Sequence, residues 1–95
     1  MRMVTVKFFA SFRELTGESK TTVDGVQTVG ELLDRLSKKY GQRFAQSVFE
    51  DLEGKKLKST VNILVNGRSI VLMEGLETRL SDSDSVAIFP PISGG

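Results

Sequence analysis

The chain has 95 residues, 13 basic and 12 acidic, for a formal net charge of +1; that length sets one domain with a single modest core, burying about 60–68% of its unfolded surface. Its basic residues are scattered apart from short clusters such as Lys38-Lys39 and Lys55-Lys56, which argues against nucleic acid as the main partner. Histidine and cysteine are both absent, which removes the usual general base, the nucleophilic thiol, the disulfide and the common transition-metal ligands, so neither a metal site nor an autonomous catalytic site is expected.

In chain order, Met3 to Phe9 alternates Val4, Val6 and Phe8 against Met3, Thr5, Lys7 and Phe9, the period-2 pattern of a half-buried strand. Ser11-Phe12-Arg13-Glu14 has capping-box spacing and Gly17 stands where a helix can stop, so residues 10–16 are predicted as a helical turn. Thr22-Val23 reads as a short return strand. Thr28-Val29-Gly30-Glu31 is a second capping box, followed by Leu32, Leu33 and Leu36 on one face and a stop at Tyr40-Gly41; this is the main helix. In residues 42–60, Phe44, Val48, Phe49 and Leu52 fall at helical spacing and Glu53-Gly54-Lys55-Lys56 reads as a turn, a stretch with the character of an insertion.

Val61 to Val65 is an apolar strand bounded by Asn66-Gly67, a pair suited to the positive φ values of a type I′ hairpin. Its partner is predicted over Arg68 to Leu72. Gly75-Leu76 opens a compact connection, Ser81-Asp82-Ser83-Asp84 supplies turn chemistry, and Val86 to Phe89 is the last strand. The order is ββαβββ, an α+β roll with the helix packed on one face of the sheet. If Val4, Val6, Phe8, Ile63, Val86 and Ile88 face the helix, alternation puts Phe9, Leu64, Ala87 and Phe89 on the opposite face. An apolar cluster left outside there marks an interface, unless the tail or the 42–60 segment covers part of it. Phe89 leads the candidates.

The domain is read as residues 1–89 and the tail as 90–95, Pro90-Pro91-Ile92-Ser93-Gly94-Gly95. Glycine at a chain end is common in frayed tails that do nothing, but two prolines before it fix φ and favour an extended arm. From the last strand such an arm reaches roughly 20 Å. Two residues without Cβ let the Gly95 carboxylate enter a channel too narrow for other residues. The opening Met1-Arg2-Met3-Val4 has no apolar stretch of a signal peptide, and no apolar run approaches the ~18 residues of a membrane span; a cytoplasmic protein without membrane contact is expected.

A first strand reading VKFFASFRELTG, a capped helix, VNG before a hairpin and GLETRLSDSDSVAIFPPISGG at the end resemble the MoaD/ThiS family of ubiquitin-like sulfur carriers, and within it the small subunits of molybdopterin synthase and the small archaeal modifier proteins. The resemblance runs over nearly the whole chain. Residues 42–60 make this sequence longer than the shorter family members, and Ser83 and Ser85 stand where the family often has Gly and Glu.

The resemblance implies a β-grasp fold of about five strands and a cycle of C-terminal activation. A ubiquitin-activating-like enzyme of the MoeB/ThiF type would adenylate the Gly95 carboxylate with ATP and Mg²⁺, and sulfur would displace AMP to leave a thiocarboxylate. ATP and Mg²⁺ would belong to that enzyme, with no cofactor bound by the carrier. In the molybdopterin branch the tail, Pro90 to Gly95, would enter a large subunit of the MoaE type and give sulfur to a pterin precursor, with Phe89 touching that subunit. The alternatives are sulfur carriage for tRNA thiolation or thiamine synthesis, and a protein modifier whose Gly95 is joined to target-protein lysines.

Three other features are read as ordinary surface. Lys38-Lys39 and Lys55-Lys56-Lys58 fit a solvated helix end and turn better than a phosphate site. Asp82 and Asp84 suit bonds to the local backbone better than a cation. Met73 belongs to the core or its rim.

Overall fold

The first alternating run forms β1 (Met3–Phe8), with Val4, Val6 and Phe8 buried and Met3 and Lys7 exposed. The computed structural model describes residues 3–51 and 56–90; Leu52, the expected turn over Glu53-Gly54-Lys55 and tail residues Pro91 to Gly95 lie outside the described residues. After β1 comes α1 (Ser11–Thr16), but not by the predicted cap. Ala10, at φ 52°, starts the helix without any side-chain cap bond. Its carbonyl accepts from the Arg13 N–H and that of Phe9 from the Phe12 N–H, so Ser11 already lies inside the first turn, too late in the chain to act as the cap. Gly17 ends the helix as expected, donating to the Arg13 carbonyl at 2.9 Å.

The return strand is longer than the two residues predicted. It is β2 (Lys20–Asp24), antiparallel to β1 with Val4 opposite Val23. The main helix α2 (Val29–Tyr40) begins at Thr28, whose hydroxyl accepts from the Glu31 N–H at 3.2 Å while the Glu31 carboxylate accepts from the Gln27 N–H at 2.9 Å. This reciprocal pair satisfies amides that the helix itself cannot. Gly30 follows the cap because a Cβ there would stand 3.1 Å from the Leu76 carbonyl oxygen. At Gly41 the chain takes φ 95° and ψ −173°, a region open essentially to glycine alone.

That bend leads directly into α3 (Gln42–Val48). The insertion-like segment is therefore part of the core: Phe44 and Val48 are fully buried, and the Phe44 ring lies 6.3 Å from Phe8, 5.8 Å from Phe12 and 5.8 Å from Tyr40. On the far side of the undescribed residues the chain runs back against α3, with the Glu50 N–H donating to the Lys56 carbonyl and the Lys58 N–H to that of Val48, both at 2.8 Å.

The hairpin joins β3 (Asn62–Val65) to β4 (Arg68–Ser69). Asn66 and Gly67 take φ 51° and 85°, as a type I′ turn requires. The strand predicted to run to Leu72 stops at Ser69. Its hydroxyl accepts from the Val71 N–H at 3.2 Å, and the chain closes into a 3₁₀ turn over Ile70–Leu72, a local bond competing with the ladder. A second 3₁₀ turn (Gly75–Glu77) precedes β5 (Ser85–Phe89).

The sheet order is β2-β1-β5-β3-β4, with β1 and β5 parallel and the other pairs antiparallel. Last in sequence, β5 is thus central in space. Val4, Val6, Phe8, Ile63, Val86 and Ile88 are buried on the same side of the sheet, in one cluster with Val29, Leu32, Leu33 and Leu36 of α2. This is the ubiquitin-like β-grasp arrangement, a mixed five-stranded sheet with its helices on one face.

Candidate functional site: the open sheet face and the root of the tail

Two turns fix where β5 ends. Asn66 holds the hairpin to the loop before β5: its Oδ1 accepts from the Ser85 N–H and its Nδ2 donates to Asp84, both at 3.0 Å. Asp84 also accepts from the Ser81 N–H at 2.7 Å, and Asp82 from the Met3 N–H at 2.8 Å. Asp84 thus bonds the local backbone as the sequence suggested, whereas Asp82 bonds the backbone of β1, 79 residues away in the chain. Ser83, where the family often has glycine, sits at φ 72° with its N–H on the Met3 carbonyl at 2.9 Å.

From that anchored start, β5 runs between β1 and β3 in register with both: Ala87 pairs Lys7 on one side and Leu64 on the other, and Phe89 lies opposite Asn62. The parallel register continues one residue past β1, where the Phe9 N–H donates to the Ile88 carbonyl at 3.3 Å. Phe9 and Phe89 are therefore neighbours on the face away from the helices, their rings stacked at 4.3 Å between centroids and 11° between planes. Both are half-buried, as are Leu64 and Ala87. The four predicted residues occupy one face, next to the point where Pro90 begins the tail. Pro90 is half-buried; Pro91, Ile92, Ser93, Gly94 and Gly95 lie outside the described residues. What this face offers is apolar area rather than proton transfer.

An apolar surface that the sequence did not disclose lies at the end of β4. Val71 and Leu72 are 81% and 79% exposed and Met73 39%, so Met73 belongs to a rim. Two aliphatic residues after a hairpin read as strand, and only the 3₁₀ turn at Ile70 puts them both outside.

The basic clusters lie among local acids. Lys38 pairs with Asp34 at 3.3 Å, Lys39 with Glu18 at 3.7 Å and Lys56 with Glu50 at 3.4 Å. Tyr40 donates its hydroxyl to the Glu18 carboxylate, and its pKa is pushed up to about 12, first by burial and then by that hydrogen bond. Tyr40 packs edge-on to Phe8 at 5.6 Å, on the helix side of the sheet and away from the Phe9–Phe89 pair. Among the described residues no helix is long and apolar enough to cross a membrane.

The ThiS family model matches residues 6–95. The chain belongs to the ThiS family. It is 41% identical over 92 residues to small archaeal modifier protein 3 of Haloferax volcanii, covering 95% of this chain and 96% of that protein. The molybdopterin synthase sulfur carrier subunit of Escherichia coli is 34% identical over 93 residues, covering 98% of this chain and all of the other. Among solved structures, small archaeal modifier protein 1 of Methanosarcina acetivorans superposes with a TM-score of 0.87 at 40% identity, covering 100% of this chain and 98% of that one. These similarities make the chain a member of the ubiquitin-like sulfur carriers.

Proposed function

We propose that the protein carries sulfur as a thiocarboxylate on Gly95 for molybdopterin formation, acting as the small subunit of a molybdopterin synthase. The observation that supports this most is the position of β5. The strand that feeds the tail is held by β1 and β3 and ends beside the Phe9–Phe89 stack, so a partner bound on this face receives the tail from a fixed point. A free carboxylate is a poor electrophile. Adenylation by an enzyme holding ATP and Mg²⁺ releases pyrophosphate and gives an acyl-adenylate, from which a sulfur nucleophile displaces AMP. The carrier supplies the terminus and the docking face; the adenylating enzyme and a large subunit of the MoaE type supply the active sites.

A second reading is favoured by the 41% identity to a small archaeal modifier protein: the same acyl-adenylate passes to a lysine amine and makes an isopeptide bond. Incubation with the adenylating enzyme of the same organism, ATP, Mg²⁺ and a sulfur donor, followed by intact mass, tests the shared step. The expected product is heavier by the exchange of one oxygen for sulfur. Adding the large subunit and precursor then separates the readings. Pterin dithiolene formation supports the first; its failure, with thiocarboxylate present and lysine conjugates forming in cell extract, overturns the first in favour of the second.

A further inference from the structure

A cavity of about 480 Å³ opens between α1, α3 and the start of the tail. Phe12 and Leu15 of α1 give it an apolar wall, Arg43 of α3 and Lys58 supply two cations, Thr60 a hydroxyl, and Pro90 stands at its edge. Glu14 is its acidic lining residue, which leaves one positive charge in excess. Lys56, from the same segment, pairs with Glu50, whereas Arg43 and Lys58 make no ion pair among the described residues. Both come from the 42–60 segment, which the core holds in place through Phe44 and Val48.

We propose that this groove is a second docking site, taking an acidic segment of the adenylating enzyme while that enzyme holds the tail. The inference rests on the function proposed above. Three features define the occupant. Two cations without an ion pair among the described residues, over an apolar wall, fit a carboxylate side chain next to an apolar one. Pro90 belongs to the groove and to the tail, so whatever grips the tail lies next to it. Adenylation is common to the sulfur-transfer and conjugation readings, so a feature at the tail's root meets the adenylating enzyme in either case. Because both cations of the groove come from the 42–60 segment, it would distinguish adenylating enzymes that accept this carrier from those adapted to carriers without such a segment.

The test is ATP–pyrophosphate exchange catalysed by the adenylating enzyme of the same organism, measured against carrier concentration and salt. Arg43→Gln and Lys58→Gln should each raise KM about two- to fivefold, the range of exposed ion pairs, with kcat unchanged. The doubly reversed variant, Arg43→Glu with Lys58→Glu, should raise it roughly tenfold or more and lose the salt dependence of the wild type. Glu14→Gln should move KM the other way. Circular dichroism and melting confirm that each variant is folded, and the two glutamine variants carry the test if the double reversal is not. If the wild type supports no exchange, the functional reading falls and this inference with it. Should the wild type be adenylated while the glutamine variants keep its KM and salt dependence, the groove inference alone is wrong.

Discussion

Phe9 and Phe89 come from opposite ends of the chain, yet their rings stack at 4.3 Å and 11° on the face away from the helices. The parallel pairing of β1 with β5, which aligns Phe8 with Ile88, makes them neighbours. A stacked pair that is only half-buried is stabilised by its own contact and still has a face to offer. Phe89→Ala or Phe9→Ala should therefore cost about 1 kcal/mol of stability but 2 kcal/mol or more of partner affinity, as aromatic anchors do at interfaces. Titration calorimetry against the MoaE-type subunit and chemical denaturation read the two quantities separately. Loss of several kcal/mol of stability at unchanged affinity would make the pair a core element instead.

The helix cap was legible because Thr28 and Glu31 act through local spacing, and the structure contains that bond. Thr28→Ala should lower stability by about 0.5–2 kcal/mol. It should leave thiocarboxylate formation intact wherever the variant is folded. Reduced activity at an unchanged melting temperature would give Thr28 a contact with the partner.

What the sequence made legible, and what it did not, divides along the same line. Alternation in β1 and β5 placed Val4, Val6, Val86 and Ile88 inside, and Phe9 and Phe89 outside, because period-2 geometry is a property of the strand itself. Asn66-Gly67 located its turn because the positive φ values are set by those two residues. The features that escaped depend on distant parts of the chain. Nothing near Ala10 announces φ 52°; the local motif pointed to Ser11. Phe44 and Val48 had the right spacing, but only packing against Phe8, Phe12 and Tyr40 shows that the 42–60 segment completes the core rather than decorating it. At Ser69 the chain leaves the strand for a 3₁₀ turn held by the Ser69 hydroxyl on the Val71 N–H and the Met73 N–H on the Ile70 carbonyl, which puts Val71 and Leu72 at the surface. For the candidate site, the sheet face was readable from alternation, whereas the groove between α1 and α3 was not, since its walls come from residues some 80 positions apart, Ser11 and Pro90 among them.

Tyr40 makes stability depend on pH in the alkaline range. Its folded-state pKa is raised from 10.0 to about 12, by burial and by the hydrogen bond to Glu18, so the neutral phenol is favoured in the fold. The stabilisation is fully present below the unfolded value and is lost as pH rises through the folded one. Stability should decline between pH 10 and 12 more steeply for wild type than for Tyr40→Phe, which keeps the ring contacts and has nothing to ionise. Denaturant midpoints across that window measure the difference, and parallel curves would mean that the phenol titrates alike in both states.

The terminus is the most exposed part of the reading. The described core closes at Ile88 and the Phe9–Phe89 stack, so deleting Gly95, or adding one residue after it, should change stability by no more than about 0.5 kcal/mol. Activation should nevertheless be abolished, because adenylation needs a free carboxylate at a fixed distance from the docking face. Gly94→Val should fail as well. On the proposed function a β-branched side chain would restrict the backbone and widen a tail that must fit the adenylating enzyme's channel. Geometry at the end of the tail, not stability, should order the variants. ATP-dependent exchange of one oxygen for sulfur, followed by intact mass, reads each of them against wild type. If a chain extended past Gly95 is thiocarboxylated without first being trimmed, the carboxylate that reacts is not the one proposed and the carrier reading is wrong.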